Sequence, residues 1–256
     1  MTPYYQDDAV TIYHGDCRKI MPGLELVDLV LTDPPYSSGG MMRSDRVGSV
    51  KSKYQLSGRP SYPQFSGDNR DQRSFEKWLA LWLAEAFLGT KSGGCVGVFI
   101  DWRNVACVID AIQIAGWVYR GLVVWDKKAG RPVLGWFRGQ HELCVMGSSG
   151  PLDRDVTKCG PEVGICQRGI LSHIVESGPD KKHQSQKPEG LFRDIINTRN
   201  DWQTVLDPFM GSGTTLLAAK NLGRKAIGVE MEERYCEIAA KRMAQEVLPL
   251  EAHGGG

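Results

Sequence analysis

Short apolar, β-rich runs alternate with longer stretches of helical periodicity along this chain. That alternation restricts it to a largely parallel sheet covered by helices on both faces. Val10-Thr11-Ile12-Tyr13 reads as a strand that ends at Gly15-Asp16. Residues 27–31 are apolar at nearly every position, which predicts a central strand buried on both sides. Residues 74–88 predict a helix, with Trp78, Leu81, Trp82 and Glu85 at helical spacing, and Gly93-Gly94 is expected to break it. Residues 95–100 predict another buried strand, followed by a helix over 103–115. Leu122-Val123-Val124-Trp125 and Leu143-Cys144-Val145-Met146 predict a strand pair late in the sheet. A helix over 189–198 is opened by Pro188, near the first turn, where a missing N–H costs nothing. Strand 204–206, helix 213–222, strand 226–229 and helix 232–247 complete the pattern, and Gly254-Gly255-Gly256 reads as a frayed end.

The 256 residues, 41% hydrophobic and 24% charged, suit a soluble globular protein, read here as one domain over 1–256. No stretch approaches the roughly 20 apolar residues of a membrane span. The first residues lack the basic start and apolar core of a signal peptide. Seven scattered cysteines with no Cys-x-x-Cys pair fit a reducing, cytoplasmic setting. Cys159, Cys166, His173 and His183 do not have zinc-module spacing, so no metal is expected. A net charge of +1 means that nucleic-acid contacts would have to use local patches. Two segments break the alternation. Residues 37–73 are rich in Gly, Ser and Arg, and residues 127–188 are interrupted by Gly and Pro except for the strand near Cys144. Long loops that follow strands are where ligand contacts are expected.

Two motifs carry chemistry. Asp207-Pro208-Phe209-Met210-Gly211-Ser212-Gly213-Thr214-Thr215 is a strand end, a glycine turn and a helix start. Gly211 and Gly213 allow a tight turn with no Cβ between backbone and ligand. Alone, such a turn reads equally as structural. The next strand, Ala226-Ile227-Gly228-Val229-Glu230, ends in an acid that can accept both hydroxyls of a ribose. Earlier in the chain, Asp33-Pro34-Pro35-Tyr36 follows the central strand. The prolines remove two backbone donors and stiffen the segment. The Asp33 carboxylate and the Pro34 carbonyl could each accept one hydrogen of a planar amine, with a proline-stiffened turn capped by an aspartate as the alternative.

Together these motifs resemble the amino-group DNA methyltransferases that use S-adenosylmethionine. Their order, with the amine motif ahead of the cofactor motif, resembles the permuted β group of that family. The resemblance implies an α/β Rossmann-like fold with a mostly parallel seven-stranded sheet, helices on both faces and a circularly permuted motif order. It implies that Asp207, Phe209, Gly211, Ser212, Gly213 and Thr214 form the cofactor loop, and that Glu230 binds the ribose. Asp16 matches an acid near the cofactor adenine, with helix capping as the alternative. Ser185-Gln186-Lys187-Pro188 resembles a further family element and makes Lys187 the partner of the cofactor carboxylate, with a solvated lysine as the alternative. Asp33, Pro34, Pro35 and Tyr36 would be catalytic, with Tyr36 stacking on a flipped base. Trp125-Asp126-Lys127 and Phe137-Arg138-x-x-His141-Glu142 resemble elements flanking the target pocket.

No cysteine follows a proline, which excludes the covalent carbon-5 cytosine mechanism. A leading Asp favours N6 of adenine, with N4 of cytosine as the alternative. A protein or RNA amine substrate, or a silent DNA-binding protein, are further alternatives. Arg43, Arg46, Lys51, Lys53 and Arg59 against Asp45 alone form the first candidate DNA-contacting segment, with a solvated basic loop as the other reading. Arg131 and Arg138 belong to a second basic group that includes Trp136 and Phe137. DNA recognition is expected in insertions over 37–73 and 128–182. The expected partner is double-stranded DNA, with no membrane, and exposed apolar helix faces could support a homodimer.

Overall fold

A computed structural model of the chain describes residues 1–36, 70–130, 134–160, 167–175 and 187–245. The strands are β1 (Tyr5–Gln6), β2 (Val10–His14), β3 (Val27–Thr32), β4 (Thr90–Ile100), β5 (Val118–Asp126), β6 (His141–Ser148), β7 (Ile170–Ser172), β8 (Thr204–Asp207) and β9 (Lys225–Glu230). The helices are α1 (Cys17–Ile20), α2 (Gln72–Leu88), α3 (Val105–Ile114), α4 (Glu189–Ile196), α5 (Thr214–Asn221) and α6 (Glu233–Ala244). The strands form one sheet in the order β1-β2-β9-β8-β3-β4-β6-β5-β7. The run from β2 to β4 is parallel throughout, whereas β6 pairs antiparallel with both β4 and β5.

The expected seven strands are nine among the described residues. The two-residue β1 and the three-residue β7 are too short for a periodic signal and exist through their pairing with β2 and β5. Gly93-Gly94 also departs from expectation, because it lies inside β4 and does not break the chain before it. Pairing starts at Val27 opposite Thr90, slips, and resumes at Leu29 opposite Cys95. The glycines make that slip feasible: Gly93 has φ +80°, and a Cβ on Gly94 would stand 2.8 Å from the Asp28 carbonyl oxygen.

Period-two alternation divides the core between two faces. Leu29, Leu31, Phe99 and Val205 pack with α4, α5 and α6, while Val30, Val96, Val98, Ile100 and Leu206 pack with α2 and α3. Helix α2 shows how the second layer is built. Asp71 caps it by accepting from the Ser74 N–H at 3.0 Å, and Phe75, Leu79, Trp82, Leu83 and Ala86 form its buried stripe. Each such fully buried large side chain contributes roughly 1.5–3 kcal/mol of transfer free energy. Leu81 instead points outward and is half exposed.

Candidate functional site

The parallel strands β2, β9, β8, β3 and β4 all end on one edge of the sheet, and both sequence motifs lie there. β3 and β8 are neighbours despite their separation in the chain. The Thr32 hydroxyl donates to Asp207 Oδ1 at 2.6 Å, which ties the amine motif to the glycine turn. Asp207 is almost fully buried and also accepts from the Phe209 N–H at 3.1 Å and from Thr215. Burial pushes its carboxyl up to about 6, against the pull of those hydrogen bonds. Its visible work is to hold the turn in shape.

Gly211 and Gly213 have φ of +51° and +80°, the left-handed region that a side chain rarely adopts. A Cβ on Gly211 would meet nothing within 4 Å, whereas one on Gly213 would stand 3.0 Å from the Ala239 Cβ. The first glycine therefore faces open space and the second packs against α6. Arg242 of α6 donates to the Ser212 carbonyl at 2.6 Å and bonds the Thr214 hydroxyl at 3.3 Å, supporting the turn from beneath. Phe209 points away from the sheet edge toward α2, its ring 5.3 Å from that of Trp78 and 5.1 Å from that of Trp82.

Glu230 ends β9 with one carboxylate oxygen taking the Gly211 N–H at 3.0 Å and the other the Glu232 N–H at 2.8 Å. Burial raises its carboxyl, and the backbone donors oppose this. Each oxygen has further lone-pair capacity, so this donor set fits a vicinal diol. The turn holding Asp16 lies alongside, with the Gly15 N–H bonded to the Glu230 carbonyl at 2.9 Å. Asp16 itself caps α1 through the Arg18 N–H at 3.1 Å and pairs with the Arg18 guanidinium at 2.6 Å. The capping alternative is thus the role the structure displays.

At the amine motif, Pro34 is buried and Asp33, Pro35 and Tyr36 are half-buried. The structure places Lys187 beside this motif and buries it, so the solvated-lysine alternative does not apply. Its ammonium, 4% exposed, is 2.5 Å from Asp33 Oδ2, 3.2 Å from Glu142 Oε2 and 2.6 Å from the Tyr36 hydroxyl oxygen. It also lies 5.0 Å from the ring centroids of both Tyr36 and Phe99. The physical reason is charge neutralisation: a buried ammonium needs carboxylate partners, and Asp33 and Glu142 supply them. Burial works to lower the Lys187 pKa, but these two charges outweigh it and raise it. The Tyr36 hydroxyl donates to Glu142 Oε2 at 3.0 Å, and the Tyr36 carbonyl accepts from the Asn104 amide at 2.8 Å. Burial, then the charges of Asp33 and Glu142, raise the Tyr36 pKa well above its ordinary value, so the hydroxyl keeps its proton.

Glu142, Lys127, Asn104 and Phe99 join this site without having been singled out as site residues by sequence reasoning. Glu142 and Lys127 lie in stretches that resemble the target-pocket flanks, which is the signal that could have found them. Phe99 reads only as core. Of the basic residues expected to meet DNA, Arg43, Arg46, Lys51, Lys53, Arg59 and Arg131 lie outside the described residues. Arg138 is exposed on the loop joining β5 to β6, beside Trp136 and Phe137, which are 75% and 81% exposed. His173, from the unmatched Cys/His set, pairs with Asp194 at 2.7 Å, while Cys166 and His183 lie outside the described residues.

Known proteins share this fold. A family model described as DNA methylase, of the N6/N4 type, matches residues 27–152 and 167–241. The type II methyltransferase M2.LlaDCHI of Lactococcus lactis subsp. cremoris is 30% identical over 264 residues, covering 94% of this chain and 91% of its own. The type II methyltransferase M2.DpnII of Streptococcus pneumoniae is 29% identical over 262 residues, covering 95% and 93%. Among solved structures, the M1.HpyAVI complex with S-adenosylmethionine superposes with a TM-score of 0.66 at 26% identity, over 92% of this chain and all of that one. The cytosine-N4-specific PvuII DNA methyltransferase shares the fold, with a TM-score of 0.73 at 18% identity over 96% of this chain and 90% of its own. With both motifs on one sheet edge and most of its length matched by the family model, the chain belongs to the N6/N4 DNA methylase family.

Proposed function

We propose that this protein is a site-specific DNA methyltransferase that methylates the N6 amine of an adenine flipped out of duplex DNA. The observation that carries the reading is the Thr32–Asp207 bond at 2.6 Å, which locks the amine motif beside the glycine turn. S-Adenosylmethionine, when bound, supplies an electrophilic methyl on its sulfonium. Glu230 would take the ribose hydroxyls, and Gly211, Ser212, Gly213 and Thr214 would form the floor beneath the cofactor. Asp207 and Phe209 would shape that floor from behind, and Asp16 would flank the adenine end.

Asp33 and the Pro34 carbonyl would accept the two amine hydrogens, turning the nitrogen lone pair toward the methyl. As the amine takes the methyl and a neutral thioether is left behind, the Asp33 carboxylate would stabilise the positive charge developing on the nitrogen until it releases a proton. Asp33 Oδ2 is shared with Lys187, so Oδ1 is the oxygen best placed to meet the amine. Pro35 stiffens the segment, and the Tyr36 ring would stack on the flipped base, which offsets part of the roughly few kcal/mol needed to extrude it. The leading Asp33 favours adenine over cytosine, where the same geometry would serve N4.

Arg43, Arg46, Lys51, Lys53, Arg59, Arg131 and Arg138 would hold the phosphate backbone, with Trp136 and Phe137 available to stack or wedge. No helix among the described residues is long and apolar enough to cross a membrane. Exposed Leu81 and Leu88 on α2 and Ile114 on α3 support a homodimer, which sedimentation would test.

The test is nucleoside mass spectrometry of DNA from a methylation-free host expressing the wild type beside Asp33→Ala. N6-methyladenine in the wild type alone is the expected result. N4-methylcytosine would move the target to cytosine, and no modified base would exclude DNA methylation.

A further inference from the structure

We propose that Glu142 is the positioning residue of the target-amine pocket, holding the Tyr36 hydroxyl and the Lys187 ammonium so that the Tyr36 ring and the Asp33 carboxylate stand ready for the base. The proposal rests on the methylation reading above. Glu142 is the second residue of β6, opposite Trp125 of β5, while the adjacent Leu143 pairs with Ile100 of β4. It is therefore built on an interior strand, which holds a side chain better than a loop does.

Its two oxygens divide the work. Oε1 takes the Lys127 ammonium at 3.2 Å, while Oε2 takes the Tyr36 hydroxyl at 3.0 Å and the Lys187 ammonium at 3.2 Å. Lys127 and Lys187 balance Asp33 and Glu142, two cations against two carboxylates, so this partly buried cluster is neutral. Without the Glu142 charge, Lys127 loses the carboxylate it meets here and Lys187 keeps only Asp33. Lys187 then crowds the oxygens that the amine needs, and the Tyr36 ring loses the anchor at its hydroxyl. Glu142 touches neither Asp33 nor, in this scheme, the base. It acts through Tyr36 and Lys187.

The test compares wild type, Glu142→Gln, Tyr36→Phe and the double variant. Each is assayed for initial rates of methylated-nucleoside formation on saturating unmethylated bacterial DNA, for cofactor affinity by calorimetry, and for melting temperature. Glu142→Gln should lose about tenfold to a hundredfold in kcat, as a misplaced reacting group does, with cofactor affinity within about twofold of wild type. Tyr36→Phe keeps the ring and breaks the same bond from its other end, so it should reproduce part of the loss. The double variant should lose less than the product of the two single losses, because the variants share one interaction. A Glu142→Gln rate near wild type, strictly multiplicative losses, or a loss matched by an equal fall in cofactor affinity would each overturn the proposal. If Glu142→Gln fails to fold, Tyr36→Phe decides alone: unchanged kcat overturns it, and a loss in a folded protein supports it. A wild type that methylates no base overturns the methylation reading itself, an outcome distinct from the others.

Discussion

At the scale of single residues, burial decides which groups hold charge and which hold shape. Asp207 is the clearest case, with its carboxyl raised from the ordinary 3.8 to about 6 by burial. Between those two values the folded protein binds a proton that the unfolded chain does not. Stability therefore falls as pH rises through that window. Asp207→Asn keeps an acceptor for Thr32 and removes the titration. Its melting temperature relative to wild type should improve as the pH goes from about 4 to about 7. A difference that stays constant over that range would show that Asp207 is not the titrating group. Asp33 and Glu230 were legible in the sequence because each directly follows or ends a recognisable strand. The protein carboxylates beside Lys187 were not, because an ammonium's surroundings depend on which distant groups the fold delivers to it.

At the scale of elements, the strand and helix periods located most of the architecture, and the departures lie where tertiary contact overrides local preference. Gly93-Gly94 reads as a break, yet the backbone continues as β4 because Gly93 N–H bonds the Ser149 carbonyl at 2.7 Å and Ser149 N–H bonds the Gly94 carbonyl at 2.8 Å. Gly228, within β9, makes the opposite point. It looks like a weak residue for a strand, but a Cβ there would run into Met210 Sδ and stand 2.7 Å from Leu216 Cδ2. The strand needs a glycine so that the glycine turn and α5 can close on it. Gly228→Ala should cost about 1–3 kcal/mol, the usual range for overpacking, and should weaken cofactor binding by displacing Met210. A thermal melt and a cofactor titration both indistinguishable from wild type would contradict this packing argument.

At the scale of the whole molecule, the order of motifs along the chain and their order in space are different things. The amine motif comes first in sequence, yet β3 sits between β8 and β4, so the permuted chain brings both motifs to one continuous edge. The net charge of only +1 makes DNA binding a matter of local patches. Alanine at Arg43, Arg46, Lys51, Lys53 and Arg59 together should weaken DNA binding and flatten its salt dependence, by roughly 0.9 in the log–log slope for each phosphate that is no longer neutralised. An unchanged slope, measured by titrating duplex DNA at several salt concentrations, would assign phosphate binding elsewhere. The β5–β6 loop with Trp136, Phe137 and Arg138 is the next place to look.

The sequence by itself determined the strand and helix pattern, the two chemical motifs and the family they resemble. These are written in short-range periodicity and in residues that are contiguous along the chain. Only the tertiary structure decided that Lys187 pairs with Asp33 and that Glu142 holds Tyr36. Lys187 and Glu142 find their partners across separate elements of the sheet edge, where strand order and register choose the neighbours. No pattern along a single segment records those choices.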